Sequence, residues 1–426
     1  MVRFNENNEV LQEDDYRAIL VGLQRSEDVT YYMEELQGLA EAAGIEVVGQ
    51  MIQARDRPEN ATYIGKGKVE ELAEFCVAME ADTVIFNHEL SGMQLRNLEN
   101  LLNVRVLDRT ILILDIFASR AVSREGKLQV ELAQLQYRLP RLTGFGKTLS
   151  RLGGGIGTRG PGEKKLETDR RHINRRMDEI KREIEDVKKN RRTQRAQRLR
   201  SGIPVVAIVG YTNSGKSALM NRFLQDTNKD EKSVTEADML FATLDTFQRL
   251  INLDTHHSFL LIDTVGFVSH LPHTLVKAFK ATLEEVTFAD LLLHVVDSSY
   301  AENHFHVEVT DQVLKDIGAG DKDRLLVYNK IDLVEPENRS FCEGQDTVCI
   351  SAKYGDNMEQ LVSMIKGRLF ADRRRACLLI PFDRGDVTSD LCTRYKPDLT
   401  EYRNEGTYLE LDLSLTDYQR LEKYRV

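Results

Sequence analysis

A chain of 426 residues is too long for one hydrophobic core and should hold two to four domains, and a hydrophobic content of 41% is enough to fill them, which excludes global disorder. No apolar run approaches membrane-spanning length, and the opening "MVRFNENNEV" lacks the apolar core of a signal peptide, so neither feature is expected. The net charge of −10, taken alone, argues against a nucleic-acid partner, but residues 120–200 carry 23 Lys and Arg against 10 Asp and Glu.

A local charge of +13 on an acidic body is the footprint of a localised polyanion contact, because local field rather than net charge attracts phosphate. A solvated helix of mixed charge is the plainer alternative. Five cysteines (Cys76, Cys342, Cys349, Cys377 and Cys392) form no C-x-x-C pair. Their number and spacing are those of buried thiols in a reducing cytoplasm, and neither disulfides nor zinc are expected.

In chain order, residues 16–119 alternate between strand-like and helix-like runs. "YRAILVGL", "IEVVGQMIQA", "ADTVIFN" and "VRVLD" read as strands, with "VTYYMEELQGLAEAAG", "KVEELAEFCVAMEA" and "SGMQLRNLENLL" as the helices between them. Each helix is long enough for a crossover, so residues 1–120 are expected to form an N-terminal parallel α/β domain. The glycine-rich "IGKGK" at Ile64–Lys68 is too short for a phosphate loop.

The alternation stops near residue 120. "REGKLQVELAQLQYRL" is amphipathic at helical spacing, and Leu166 to about Leu199 runs on without Pro or Gly. Its sparse apolar residues Ile173, Met177, Ile180, Ile184 and Val187 fall on one stripe. Residues 121–200 are therefore expected to form an antiparallel helical hairpin whose joining loop, 140–163, holds eight of the 27 glycines.

Within that loop Gly155, Gly157 and Gly160 match G-x-G-x-x-G, but a dinucleotide site needs those glycines between a strand and a helix. Here basic, turn-rich sequence precedes them, so the match is accidental. Glycines flanked by Arg151, Arg159, Lys164 and Lys165 suit a loop that approaches a crowded, negative surface closely, as RNA would provide. Arg151, Gly153, Gly154, Gly155, Arg159, Gly160, Lys164 and Lys165 are the RNA-contacting candidates, against the plainer reading of a surface loop.

A second α/β pattern fills residues 201–370. The buried-strand run "PVVAIVG" feeds into "GYTNSGKSALMNRFL", which gives G-x-x-x-x-G-K-S between a strand and a helix, the setting of a phosphate loop. Gly210, Tyr211, Thr212, Asn213, Ser214, Gly215, Lys216, Ser217 and Ala218 are expected to cradle the phosphates through backbone N–H groups and the helix N-terminus. Lys216 would neutralise β and γ oxygens and the Ser217 hydroxyl would bind Mg²⁺.

"HSFLLIDTVGF" ends a strand in Asp263, whose carboxylate can reach the Mg²⁺ shell through water, and Gly266, whose N–H can meet the γ-phosphate. "RLLVYNKID" ends another in Asn329, Lys330 and Asp332. An acid there can accept from guanine N1–H and N2–H₂, which adenine does not offer. After "DTVCI", Ser351, Ala352 and Lys353 place a backbone N–H where guanine O6 can meet it. Four such motifs in order, each closing a strand, specify a GTP-binding domain.

Thr243 in "FATLDT" is the candidate for a threonine that closes over Mg²⁺, with Thr235 and Thr246 as competitors. With Lys216 and Gly266 it completes the catalytic set. Where many GTPases carry a water-orienting Gln after the switch glycine, this chain has Phe267, which neither donates nor accepts. Hydrolysis by the isolated protein is therefore expected to be slow. Asn213 either caps a turn or helps hold a monovalent cation such as K⁺ beside the phosphates. His270 and His273 read as incidental.

With these residues in place the chain resembles the HflX family of translational GTPases over nearly its whole length. "GGGIGTRGPGE" joined to "DTVGF" narrows the likeness beyond GTPases in general, alongside "GYTNSGKS", "FATLDT", "NKID" and "SAK". The resemblance implies a cytoplasmic factor that binds the large ribosomal subunit, is stimulated there to hydrolyse GTP, and splits stalled ribosomes under stress. It also implies that the hairpin loop at Gly153–Gly162 contacts ribosomal RNA near the peptidyl-transferase region, and that Phe267 is the family's apolar replacement for the catalytic glutamine.

Two other readings stand beside it. One is an ATP-driven RNA-remodelling enzyme with the N-terminal domain as motor, and the other is a regulatory GTPase with the hairpin as a coiled-coil docking arm. Residues 371–426 read as a small C-terminal α/β domain with no chemistry attached. Nothing in the sequence suggests an obligate interface, so a monomer is expected.

Overall fold

The computed structural model describes residues 16–25, 29–142, 161–227, 241, 247–254, 257–269, 285–300, 303–339, 342 and 344–426. They fall into two compact units. The first is Met1–Lys189 with Ala237–Asp245 and Val268–Thr282, and the second is Asn190–Glu236 with Thr246–Phe267 and Leu283–Val426.

The first unit opens with β1 (Arg17–Gln24), α1 (Thr30–Ala42), β2 (Glu46–Ala54), α2 (Lys66–Ala78), β3 (Thr83–Phe86), α3 (Gly92–Leu102), β4 (Arg105–Asp108) and α4 (Arg109–Arg120). The sheet order is β2-β1-β3-β4 with every pair parallel, in registers such as Ile19 opposite Val84 and Val84 opposite Val106. Ile19, Val21, Val84 and Phe86 share one core with Leu72 and Cys76 of α2 and Leu98 of α3, and α1 packs on α4. These strands and the first three helices follow the runs read from sequence; α4 is an addition. At "IGKGK", Gly65 caps α2 and its N–H donates to Gln53 Oε1 at 2.9 Å.

Asp108 fixes the next junction. It caps α4 by accepting from the Ile111 N–H at 2.9 Å, accepts from the Leu90 N–H at 3.0 Å, and takes the Tyr137 hydroxyl of α5 (Arg124–Arg141). Burial pushes the Asp108 carboxyl above the usual carboxylate range, against those hydrogen bonds and Arg141, which hold it down.

The second arm of the hairpin, α6, runs Pro161–Ser201. Its helix starts at the proline, where a missing N–H costs nothing, rather than at Leu166 as the charge pattern suggested. Leu128 and Leu132 of α5 pack on Met177, Ile180 and Ile184 of α6, flanked by Arg176 on Glu131 at 2.7 Å and Arg124 on Glu183 at 2.8 Å. Pairing early residues of one arm with late residues of the other makes the hairpin antiparallel. Its loop, with Arg151, Gly153, Gly154, Gly155, Arg159 and Gly160, lies outside the described residues, and Lys164 and Lys165 are described in backbone only.

The second unit carries β5 (Val205–Gly210), α7 (Lys216–Thr227), β6 (Phe247–Asn252), β7 (Ser258–Asp263), β8 (Leu291–Asp297), α8 (Asn303–Ile317), β9 (Arg324–Asn329), β10 (Thr347–Cys349) and α9 (Met358–Leu369). The sheet order is β10-β9-β8-β5-β7-β6, with only the edge pair β6 and β7 antiparallel. Val206, Ile208, Leu293 and Val327 form its core with Leu219 and Phe223 of α7.

A three-stranded antiparallel sheet follows, with β13 (Gly406–Leu413) between β11 (Arg374–Ile380) and β12 (Leu399–Arg403), covered by α10 (Gly385–Tyr395) and α11 (Leu415–Arg420). The architecture is thus an α/β assembly of a parallel N-terminal domain, a helical hairpin, a phosphate-loop domain and a small C-terminal α/β domain. Among the described residues no helix is long and apolar enough to cross a membrane.

The cysteines require a correction. Cys342 and Cys349 form a disulfide with Cα atoms 5.7 Å apart, while Cys76, Cys377 and Cys392 are free. A separation of seven residues is no recognised ligand or redox spacing. Only the folding of the segment before β10 back against that strand brings the two sulfurs together.

Candidate functional site

The site forms at the carboxyl ends of β5, β7 and β9, where loops leave a parallel sheet and ligands characteristically bind. The loop after β5 turns on Gly215, at φ +89°, where a Cβ would lie 2.1 Å from the side-chain nitrogen of Asn329. Asn213 is also left-handed, at φ 58°, and exposed. Asparagine tolerates that conformation at little cost, which accounts for its type at this position.

Lys216 begins α7 and is buried, its Nζ donating to the Tyr211 carbonyl at 2.6 Å. Burial pushes its pKa down to about 8, with Asp263 opposing the shift and Lys330 adding to it. A buried cation so poorly compensated favours an anion beside it. Ser217 Oγ donates to Asp263 Oδ2 at 2.8 Å, and Asp263 is fully buried. A hydroxyl and a carboxylate that converge in this way are the hard oxygen donors that Mg²⁺ prefers, so these residues fit the ion.

The segment after β7 lies directly on the phosphate loop. Thr212 N–H donates to the Phe267 carbonyl at 2.7 Å and Phe267 N–H to the Gly210 carbonyl at 3.1 Å. A Cβ on Gly266 would stand 2.8 Å from Thr212 Cα and 2.9 Å from Lys216 Nζ, so only glycine permits this approach. Phe267 is 2% exposed and held in the interior. Tyr211 stacks on His306 with ring centroids 4.0 Å apart, a neighbour that no phosphate-loop motif announces.

Asn329 binds the loops to one another. Its Nδ2 donates to the Ser214 carbonyl at 2.9 Å, and its Oδ1 accepts from the Ala352 N–H at 2.9 Å. Lys330, left-handed at φ 63°, pairs with Asp297 at 2.8 Å, and Asp332 is exposed in the short turn that follows. Ser351 is buried, its Oγ accepting from the Tyr354 N–H at 3.2 Å, and Lys353 lies over the Tyr354 ring. The four motifs are thereby gathered at one end of one sheet. Thr235, Thr243, Thr246, His270 and His273 lie outside the described residues.

The first unit holds residues that the motifs did not point to. Arg109 and Glu35, each 3% exposed at the side chain, form a buried ion pair. Arg109 also donates to Asn87 Oδ1 at 3.0 Å and to Ser269 Oγ at 3.0 Å, and the Ser269 hydroxyl donates to Glu35. Phe241, from "FATLDT", meets Phe117 edge-on with ring centroids 4.5 Å apart. Their sequence signal is faint: Arg109 is a charged residue beside an apolar run, and Glu35, Asn87 and Ser269 stand in no motif.

Comparison with known proteins matches three successive stretches of the chain. Residues 30–118 match the family described as GTP-binding GTPase N-terminal, residues 120–198 the GTP-binding GTPase Middle Region, and residues 205–330 the 50S ribosome-binding GTPase. A GTPase HflX from Caldanaerobacter subterraneus subsp. tengcongensis is 46% identical over 420 residues, covering 98% of this chain and 95% of that one. The GTPase HflX of Escherichia coli is 40% identical over 413 residues, covering 96% of each. A crystal structure of a GTP-binding protein from the archaeon Sulfolobus solfataricus in complex with GDP is 26% identical, covering 84% of this chain and 99% of that one, at a TM-score of 0.44.

Proposed function

The chain belongs to the HflX family of GTPases, and from that premise we propose that this GTP hydrolase binds the large ribosomal subunit and, with GTP bound, separates stalled ribosomes into subunits under stress. The observation that carries the reading is the union, on one polypeptide, of a guanine-type phosphate-loop site with a long basic hairpin whose packing stripe is confined to one face. The hairpin loop residues Arg151, Gly153, Gly154, Gly155, Arg159 and Gly160, with Lys164 and Lys165, then contact ribosomal RNA. Such a factor works in the cytoplasm, as a monomer.

Hydrolysis follows from charge and position. Lys216 neutralises the β and γ oxygens, the Gly266 N–H meets the γ-phosphate, and Asp332 accepts from the guanine edge. Ser217, with Thr243, would hold Mg²⁺ directly and Asp263 through water, and the ion would supply charge neutralisation across the phosphates. Asn213, exposed in the phosphate loop, is the residue that would share a K⁺ ion with them.

Phe267 is buried against the phosphate loop and cannot orient water, so the free enzyme is slow and the large subunit completes the site. Steady-state turnover with and without purified large subunits tests this. Strong stimulation is expected, and equal rates would refute it.

A further inference from the structure

We propose that Cys342 and Cys349 are a reversible thiol–disulfide site that sets how tightly the protein holds guanine nucleotides. This deepens the guanine-site reading and rests on it.

The pair joins the two base-recognition segments. Cys349 ends β10 opposite Tyr328 of β9 and stands two residues before Ser351, and its carbonyl accepts from the Asn357 amide at 2.7 Å. Cys342 closes the segment that begins at Asn329. There the Arg339 guanidinium donates to the Ile331 carbonyl at 3.0 Å and the Val334 carbonyl at 2.8 Å, and the Cys342 N–H donates to the Arg339 carbonyl at 3.0 Å. Both cysteines lie in one apolar cluster with Val296, Tyr328, Ile331 and Val334.

Without the bond, the described residues of the two segments are tied by packing, by the β9–β10 ladder that continues into Ile350 N–H to the Tyr328 carbonyl at 2.8 Å, and by Ile331 N–H to the Ile350 carbonyl at 3.1 Å and Ala352 N–H to Asn329 Oδ1 at 2.9 Å. With it they are covalently joined. Loops ordered before the base arrives lose less entropy on binding, so the disulfide form should hold nucleotide longer.

Three cysteines elsewhere remain free, so this chain is no disulfide-built scaffold, and inside cells an isolated disulfide is usually a transient, sensing one. Cys342 is half-buried and Cys349 nearly fully buried, which gives the order of events. The Cys342 thiolate attacks a small-molecule disulfide such as oxidised glutathione, breaking its S–S bond and releasing one glutathione thiolate. The Cys349 thiolate then attacks the Cys342 sulfur of the mixed disulfide, closes the protein bond and releases the second glutathione. Two protein thiols lose two protons and two electrons, and oxidised glutathione takes up both.

The test uses the full chain equilibrated in reduced or oxidised glutathione, with thiol state read by alkylation and mass spectrometry. Release of a fluorescent GDP analogue is then chased with excess GDP. Release is expected to slow about threefold or more when the bond closes. Cys342→Ser should release at the reduced wild-type rate in both buffers, and Cys377→Ser should keep the full redox response. Equal release rates with the bond shown to be closed, or a pair that stays reduced in oxidised glutathione, would overturn the proposal. Equal retention of guanine and adenine analogues would instead remove the site reading beneath it.

Discussion

Lys216 stands enclosed with its pKa pushed down to about 8, chiefly by burial. Below that pH the ammonium is already charged when nucleotide arrives. Above it the free protein holds a neutral amine, and binding must take up a proton. GTP affinity is therefore expected to be flat up to about 8 and to fall by as much as about tenfold per pH unit beyond it. Titration calorimetry in buffers of different ionisation heat would show proton uptake only on the alkaline side.

With Asp332 as the proposed acceptor for the guanine edge, Asp332→Asn turns it into a mixed donor and acceptor. GTP affinity should drop about 100-fold or more, and xanthosine triphosphate, which carries an oxygen where guanine has its amino group, should become the better ligand. Competition binding reads both. The positions of Lys216, Ser217, Asp263, Asn329 and Ser351 in the fold were legible because each ends a strand or follows one within a few residues, so local sequence carries their placement. Glu35, Arg109 and Ser269 were not. Ser269 lies 234 positions from Glu35 and 160 from Arg109, and no short-range pattern reports a contact at that separation.

Among the elements, the buried Glu35–Arg109 pair joins α1 to α4 in the first unit. Removing one partner strands the other charge away from water, so Arg109→Met should cost about 3–5 kcal/mol in denaturant unfolding. The same unfolding assay should register Ile180→Ala in α6, a fully buried side chain between the hairpin arms, at about 2–5 kcal/mol.

Strands β1 to β4 with α1 to α3 could be read from alternation of period and turn residues. By contrast α4 was missed because it starts at Arg109 directly after β4 ends at Asp108, with no turn residues to mark the change of element. The edge strand β6, "FQRLIN", mixes polar and apolar residues too evenly to announce itself. The Cys342–Cys349 bond depends on how a loop folds back, which composition does not record.

For the whole molecule, the distribution of charge matters more than its sum. A chain of net charge −10 carries 23 of its 58 Lys and Arg within residues 120–200, and the proposed RNA contact rests on that contrast, visible in the sequence. Reversing Arg159, Lys164 and Lys165 to Glu should abolish ribosome attachment while GTP affinity stays within about twofold, because none of the three belongs to the phosphate-loop or base-recognition motifs. Filter binding of nucleotide alongside ribosome pelleting separates the two effects.

The most direct test of a GTP-driven splitting factor is sedimentation of assembled ribosomes with the protein and either a non-hydrolysable GTP analogue or GDP. Separated subunits with the GTP analogue, and intact ribosomes with GDP, are the expected result. Ribosomes that stay whole with both nucleotides, or separate equally with both, would contradict it.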